Sequence, residues 1–155
     1  MEHPEEDGVG RHNLMWVMVV VIMVLGLPGI GAAQGAHKIR FDVMVSRISQ
    51  QPGDVDPRAS RLDTQLRGDF RYESLEVLAQ ERLSIELNEL ATVKLPNGKK
   101  LELRPLSISD RGVLVAVNVE GSVQSDMQVP NGHLVAIGAG RFEGGRLVIS
   151  LEPHF

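Results

Sequence analysis

The sequence has no cysteine and few aromatic residues, and both shortages limit the functions that the protein can have. Its 155 residues include one tyrosine, one tryptophan and four phenylalanines. Without cysteine the chain forms no disulfide and has no N-terminal cysteine for lipid modification. The shortage of rings disfavours carbohydrate binding, because sugars are usually held by stacking on aromatic side chains.

Charge of neither sign is in excess. Residues 34–155 hold 15 lysines and arginines against 16 aspartates and glutamates. Recruitment by nucleic acid or by anionic lipid needs a clear positive excess. The balance predicts no nucleic-acid partner, and membrane contact only through an uncleaved N-terminal segment.

Signatures of catalysis, nucleotide binding and metal binding are also missing. The sequence has no Gly-x-Ser-x-Gly elbow, and His37, His133 and His154 do not stand at metal-ligand spacing from one another. The glycines of 138–140 and 144–145 precede no lysine, so we interpret them as turn residues rather than a phosphate loop. We assign no catalytic, cofactor-binding or metal-binding residue from the sequence.

The most informative segment that is present is the apolar run Leu14–Leu27. A helix breaker, Pro28, follows it, and then small residues up to Ala33. The run is too short to cross a bilayer core of roughly 30 Å comfortably and ends as a secretory signal does. We predict a signal peptide over residues 1–33, cleaved after Ala33, with Ala32 and Ala36 as alternative cleavage positions.

The residues before this run are mostly acidic, and Arg11 supplies the positive charge that a signal peptide needs. An alternative interpretation is therefore an uncleaved membrane anchor over about Leu14 to Ala33. In both cases residues 34–155 form a single exported domain, either periplasmic or associated with the outer membrane.

In the remaining chain, apolar and polar residues mostly alternate, with a period of two. Lys38 to Ser46 alternates apolar and polar residues, which predicts a half-buried strand. After a loop, Asp56-Pro57 predicts an N-cap and first helical residue, opening a short helix to about Arg67. Its inward side chains are expected to be Ala59, Leu62 and Leu66.

Residues 72–90 fit both a helix and a strand, but alternation fits better. Six of the seven odd positions from 75 to 87 are apolar, and seven of the eight even positions from 74 to 88 are polar. We predict two strands here, with a break near Gln80-Glu81.

The rest of the chain alternates between strand patterns and turn signals. Asn-Gly between alternating runs is a strong hairpin signal, and it occurs at Asn97-Gly98. Further turns are expected at 110–112, 120–121, 130–132 and 142–145. The predicted fold is mainly β: an antiparallel β-sandwich or barrel-like meander of about eight strands with one short helix.

A resemblance rests on the stretch Leu95 to Leu106, which reads LPNGKKLELRPL, together with Asp56-Pro57-Arg58 and Phe70-Arg71-Tyr72. This order looks like a group of short exported bacterial proteins of unknown function. The pattern from Val129 to Gly138, with residues 145–149, is more faintly similar to the glycine-flanked strands of secretins, the outer-membrane channels of secretion systems. The resemblance implies an envelope protein, is compatible with an accessory of an export machine, and carries over no catalytic residue.

Four aspartates, Asp54, Asp56, Asp63 and Asp69, lie close together in the sequence. Carboxylates in a loop are typical calcium ligands, but the glycine and the remaining ligands of such a site are missing. As acid–base groups, Asp54, Asp56 or Asp69 would make the chain a small exported hydrolase.

Two functions therefore remain open. We expect a non-catalytic binding or structural module of the cell envelope, with an envelope protein as partner and without a cofactor. Its docking surface would be an exposed strand edge or sheet face. The hydrolase is the alternative.

Overall fold

The computed structural model describes residues 37–155. In this range the chain forms eight strands, one 3₁₀ turn and one short α-helix, which confirms the predicted fold class. The elements in chain order are β1 (Lys38–Ser49), the 3₁₀ turn (Pro57–Ala59), α1 (Ser60–Leu66), β2 (Ser74–Glu86), β3 (Ala91–Lys94), β4 (Lys100–Ser109), β5 (Gly112–Val119), β6 (Val123–Val129), β7 (Val135–Phe142) and β8 (Gly145–His154).

The strands form two four-stranded sheets in which all neighbours are antiparallel. The first sheet has the order β2-β1-β8-β7 and the second has the order β3-β4-β5-β6. The second sheet is a simple meander, because each strand pairs with the next along the chain. The first sheet joins the two ends of the described chain, since β1 lies between β2 and β8.

The main core lies between the two sheets. Alternate residues of β1, such as Phe41 and Val43, meet the apolar side of β5, including Val115 and Val117, and all four are at most 2% exposed. The core forms here because apolar and polar residues alternate along these strands, so that each sheet has one apolar face and the two apolar faces bury each other.

A second, smaller core lies on the other face of the first sheet, under the helix. Ala59, Leu62 and Leu66 are buried there, as the sequence predicts, and cluster with Ile48 and Val148. The predicted cap and first residue belong to the 3₁₀ turn that leads into α1: the carboxylate of Asp56 accepts the amide of Arg58 at 3.0 Å, and Pro57 is the first residue of the turn. The α-helix itself begins at Ser60, three residues later than predicted.

The prediction of two strands with a break near Gln80-Glu81 is wrong, because β2 is continuous from Ser74 to Glu86. Its pairing with β1 shifts opposite Val45/Ser46, where the ladder passes from Val77 to Ala79. The extra residue reverses which face each side chain takes. Leu75 and Val77 therefore belong to the core under the helix, whereas Ala79, Leu83 and Ile85 belong to the main core.

The glycines at 138–140 are not turn residues. They lie inside β7, where the pairing with β8 shifts between Gly138 and Arg141. Gly140 has a φ of +94°, which favours glycine, so an irregularity in a strand explains this motif. The interpretation as a turn holds only for residues 143–144, between the two strands.

The predicted signal peptide or anchor over residues 1–33 lies outside the described residues. Among residues 37–155, no helix is long and apolar enough to cross a membrane.

Ser46 offers a test of the packing under the helix. It is fully buried, and its Oγ has no hydrogen-bond partner among the described residues. A buried hydroxyl without a partner costs roughly 1–3 kcal/mol of desolvation. We expect Ser46→Ala to raise the free energy of unfolding, by about 1 kcal/mol in urea titrations.

The matched control is Ser109→Ala, which removes a hydroxyl that accepts the Arg111 amide at 3.3 Å and is expected to lower the free energy of unfolding. If Ser46→Ala lost as much stability as the control, the conclusion that the Ser46 hydroxyl has no hydrogen-bond partner would be wrong.

Candidate functional site

The four aspartates of the predicted carboxylate cluster are not gathered into one site. Asp56 caps the 3₁₀ turn before α1, and its Oδ2 also binds Arg58 Nη2 at 2.6 Å. Asp54 and Asp69 are exposed, Asp54 in the loop before the cap and Asp69 in the turn after α1. The contacts of Asp56 are those of a capping residue.

Asp63 belongs to a different contact group. Its carboxylate accepts the hydroxyl of Tyr72 at 2.7 Å and Arg67 Nε at 2.8 Å. The Arg67 guanidinium lies 5.9 Å from the centre of the Tyr72 ring, within range of a cation–π contact. The Arg67 bond holds the pKa of Asp63 below its usual value. This group ties the end of α1 to the segment that leads into β2.

In residues 37–155 no set of three histidine, aspartate or glutamate side chains is arranged to hold a metal ion. His37 and His133 are exposed. His154 is half-buried, and its Nε2 lies 3.2 Å from Asp42 Oδ2 and 3.6 Å from Glu152 Oε1.

These two carboxylates belong to a charged row on the helix-bearing face of the first sheet, which sequence reasoning missed. Asp42 on β1 is directly opposite both Arg82 on β2 and Glu152 on β8. Arg82 Nε binds Asp42 at 2.8 Å, and Arg61 of α1 binds Glu152 at 2.6 Å. The bond from Arg82 lowers the pKa of Asp42. Since each arginine is paired with a carboxylate, the row offers no excess charge to a ligand.

The four outer edges of the sheets are the other candidates, because backbone groups at an edge can pair with a further strand. The edge of β2 is partly covered by loop 54–56. The amide of Asp56 donates to the carbonyl of Leu75 at 2.8 Å, and the amide of Leu75 donates to the carbonyl of Asp54 at 3.1 Å. Beyond this cover, three charged side chains of β2 hinder pairing: Glu81, Arg82 and Glu86.

The edges of β7 and β3 are protected in other ways. Side chains from the second sheet cover β7: Asn97 Nδ2 donates to the carbonyl of Ala139 at 3.1 Å, and Ser122 Oγ donates to the carbonyl of Gly138 at 3.2 Å. β3 has only four residues, which is too short to guide a long partner strand.

β6 has less protection among the described residues: no loop or side chain from elsewhere is bonded to its backbone, and Asp126 is its single charged residue. It pairs with β5 over all seven residues, from Val123 to Val129, without a shift in register. It contains neither proline nor lysine. Its side-chain bond to backbone stays within the strand, from Ser125 Oγ to the carbonyl of Asp126 at 3.3 Å. Of the four edges in the described part of the chain, β6 therefore has the fewest of these protections.

No family model, no curated protein and no solved structure matches this chain.

The cap predicts a pH dependence that can be measured. Hydrogen bonding by the Arg58 side chain lowers the pKa of Asp56 to about 2, against about 3.9 in an unfolded chain. Because the folded-state pKa is the lower one, the stabilisation is complete above the unfolded value and is lost as the pH falls towards 2. We expect Asp56→Asn, which keeps the cap oxygen but not the charge, to be less stable than the wild type at pH 6. In denaturant titrations from pH 6 to pH 2, the free energies of unfolding of the two proteins should converge. A difference that stays constant over this range would contradict the lowered pKa of Asp56.

Tyr72 is the only tyrosine of the chain, so alkaline difference absorbance near 295 nm reports it alone. Burial, and then the hydrogen bond to Asp63, raise its pKa to about 12. We expect a titration midpoint near this value, with far-UV circular dichroism recorded alongside to confirm that the fold persists. Asp63→Asn should lower the midpoint only in part, because the burial remains. Equal midpoints near 10 for both proteins would contradict the hydrogen bond between the Tyr72 hydroxyl and Asp63.

Proposed function

We propose that this protein is an exported, non-catalytic binding module of the bacterial cell envelope. In this proposal it docks an envelope protein by accepting an extended segment of that partner along β6. The single observation that carries the proposal is the uncovered edge of β6, next to three edges that are covered, charged or short. An uncovered edge is a liability in a monomer, and a binding role accounts for its retention.

The side chains of β6 suit this role. Val123 and Met127 are half-buried at the margin of the main core, so an added strand would cover apolar surface that is still partly open. On the other face, Gln124 and Gln128 are exposed and uncharged, and Asp126 between them is exposed and charged. Backbone hydrogen bonds would supply much of the affinity, and contacts with alternate side chains would supply the specificity.

Export supports an envelope location for this partner. The apolar run Leu14–Leu27 is typical of a signal segment, and the stretch Leu95 to Leu106 resembles exported bacterial proteins. A role as an accessory to a secretion or outer-membrane assembly is compatible with the fainter secretin-like pattern after Val129. Such an assembly would offer extended segments as partners.

The test is site-specific photocrosslinking in living bacteria. We expect a benzoylphenylalanine residue in place of Gln124 or Gln128 to crosslink to one envelope protein, identified by mass spectrometry. The matched control carries the same group in place of Glu81, an exposed residue of the β2 edge. Because strand addition needs the β6 edge, the control should give no such product.

A purified partner segment should then protect β6 backbone amides from hydrogen exchange. Equal crosslinking from both edges, or none from β6, would overturn the proposal.

A further inference from the structure

Two arginines face each other across the last pairs of the β7–β8 hairpin. Arg141 and Arg146 are direct partners in this antiparallel ladder, and both are exposed. Like charges in directly opposite positions destabilise a sheet. No carboxylate among the described residues forms an ion pair with either arginine, although Glu143 stands in the hairpin itself. The Glu143 carboxylate instead binds Arg47 of β1 at 3.2 Å.

These arginines border two neighbouring depressions that share Phe70 as a wall. The smaller one has a volume of about 280 Å³ and an apolar lining that includes Ile48, Leu66 and Val148. The larger one, about 680 Å³, is open to solvent. We call the two depressions together the arginine groove.

The backbone of Phe70 is held in place although the residue is 45% exposed. Its amide donates to the carbonyl of Leu66 at 2.8 Å, so the last turn of α1 fixes its backbone. An exposed aromatic ring on a fixed backbone is a common anchor in protein interfaces, because little conformational entropy is lost on binding.

The charge of the groove is positive. Arg71 lines the larger depression with Arg141 and Arg146, and it also has no ion-pair partner among the described residues. Two carboxylates line the same depression: Asp69, which has no ion pair among the described residues, and Glu143, which is paired with Arg47. Guanidinium groups bind carboxylates through paired hydrogen bonds, so three arginines at one depression, without ion pairs in residues 37–155, suit a carboxylate ligand.

We infer that the arginine groove binds an acidic peptide segment of the partner, with one apolar side chain of that segment seated beside Phe70. The smaller depression lies just below the roughly 300–1,000 Å³ of small-molecule sites, and this size suits a single side chain. A membrane surface fits less well, because residues 34–155 have no positive excess to draw them to anionic lipid.

The position of the groove connects it with β6. Ser122, the residue before β6, lines the smaller depression and reaches across to the carbonyl of Gly138. A partner strand on β6 would therefore have its flanking residues next to the arginines. This connection rests on the proposed function, whereas peptide binding by the groove can be measured by itself.

The test uses fluorescence anisotropy with a labelled peptide, Glu-Glu-Phe-Glu-Glu, and the purified protein. We expect Arg141→Gln with Arg146→Gln to weaken binding at least tenfold. The matched control, Arg104→Gln with Arg111→Gln, removes the same charge from an exposed position of β4 and from the turn that follows it, and should change binding less than twofold. Phe70→Ser should weaken the phenylalanine peptide but not Glu-Glu-Gly-Glu-Glu.

Thermal melting checks that the variants fold, and we expect the groove variant to melt no lower than the wild type, because it loses a repulsive pair. Equal losses in groove and control variants, or no binding by the wild type, would overturn the inference. It would also be overturned if vesicles of phosphatidylglycerol bound the groove while the peptide did not.

Crosslinking from Gln124 does not require the arginines, so it separates the two proposals. Peptide binding without crosslinking would support the proposed groove and overturn the proposed docking at the β6 edge. Crosslinking without peptide binding would support docking at the β6 edge and overturn the proposed groove.

Discussion

Burial of β1 on both faces is the constraint on which the rest of the structure depends. Phe41, Val43 and Val45 face the second sheet, whereas Ile48 packs under α1. A strand in the middle of a sheet can have two covered faces only if another element covers the second one. The helix supplies that cover, and it explains why one short helix interrupts an otherwise all-β chain.

The same arrangement determines which surfaces remain available for binding. Helix and loop cover one end of the first sheet, and side chains of the second sheet cover β7. The second sheet has no such cover on β6. Ser122, the residue before β6, also lines the arginine groove, so a partner bound at the β6 edge would lie near the groove. Arg141 and Arg146 occupy directly opposite positions in the sheet, an arrangement of like charges that generally lowers stability.

Much of the fold could be predicted, because its causes are local. Alternation located β1, Asn97-Gly98 located the hairpin between β3 and β4, and Asp56-Pro57 located the start of the helix. The failures have a common cause. In β2 and β7, a shift in register depends on the partner strand, so the periodicity of one strand cannot reveal it. The aspartates close in sequence belong to separate contact groups, while the charged row joins residues as distant as Asp42 and Glu152.

The sequence by itself determined the apolar alternation, the turns, the helix cap and the balance of charge, since each depends on residues within a few positions of one another. Only the tertiary structure decided which edges are covered, that Arg141 faces Arg146, and that Phe70 stands between two depressions. Edge cover and the surroundings of Phe70 depend on strand order, which brings together residues far apart in the chain, and the pairing of Arg141 with Arg146 depends on the register of the β7–β8 hairpin. The candidate binding surface of this protein is therefore a property of its packing.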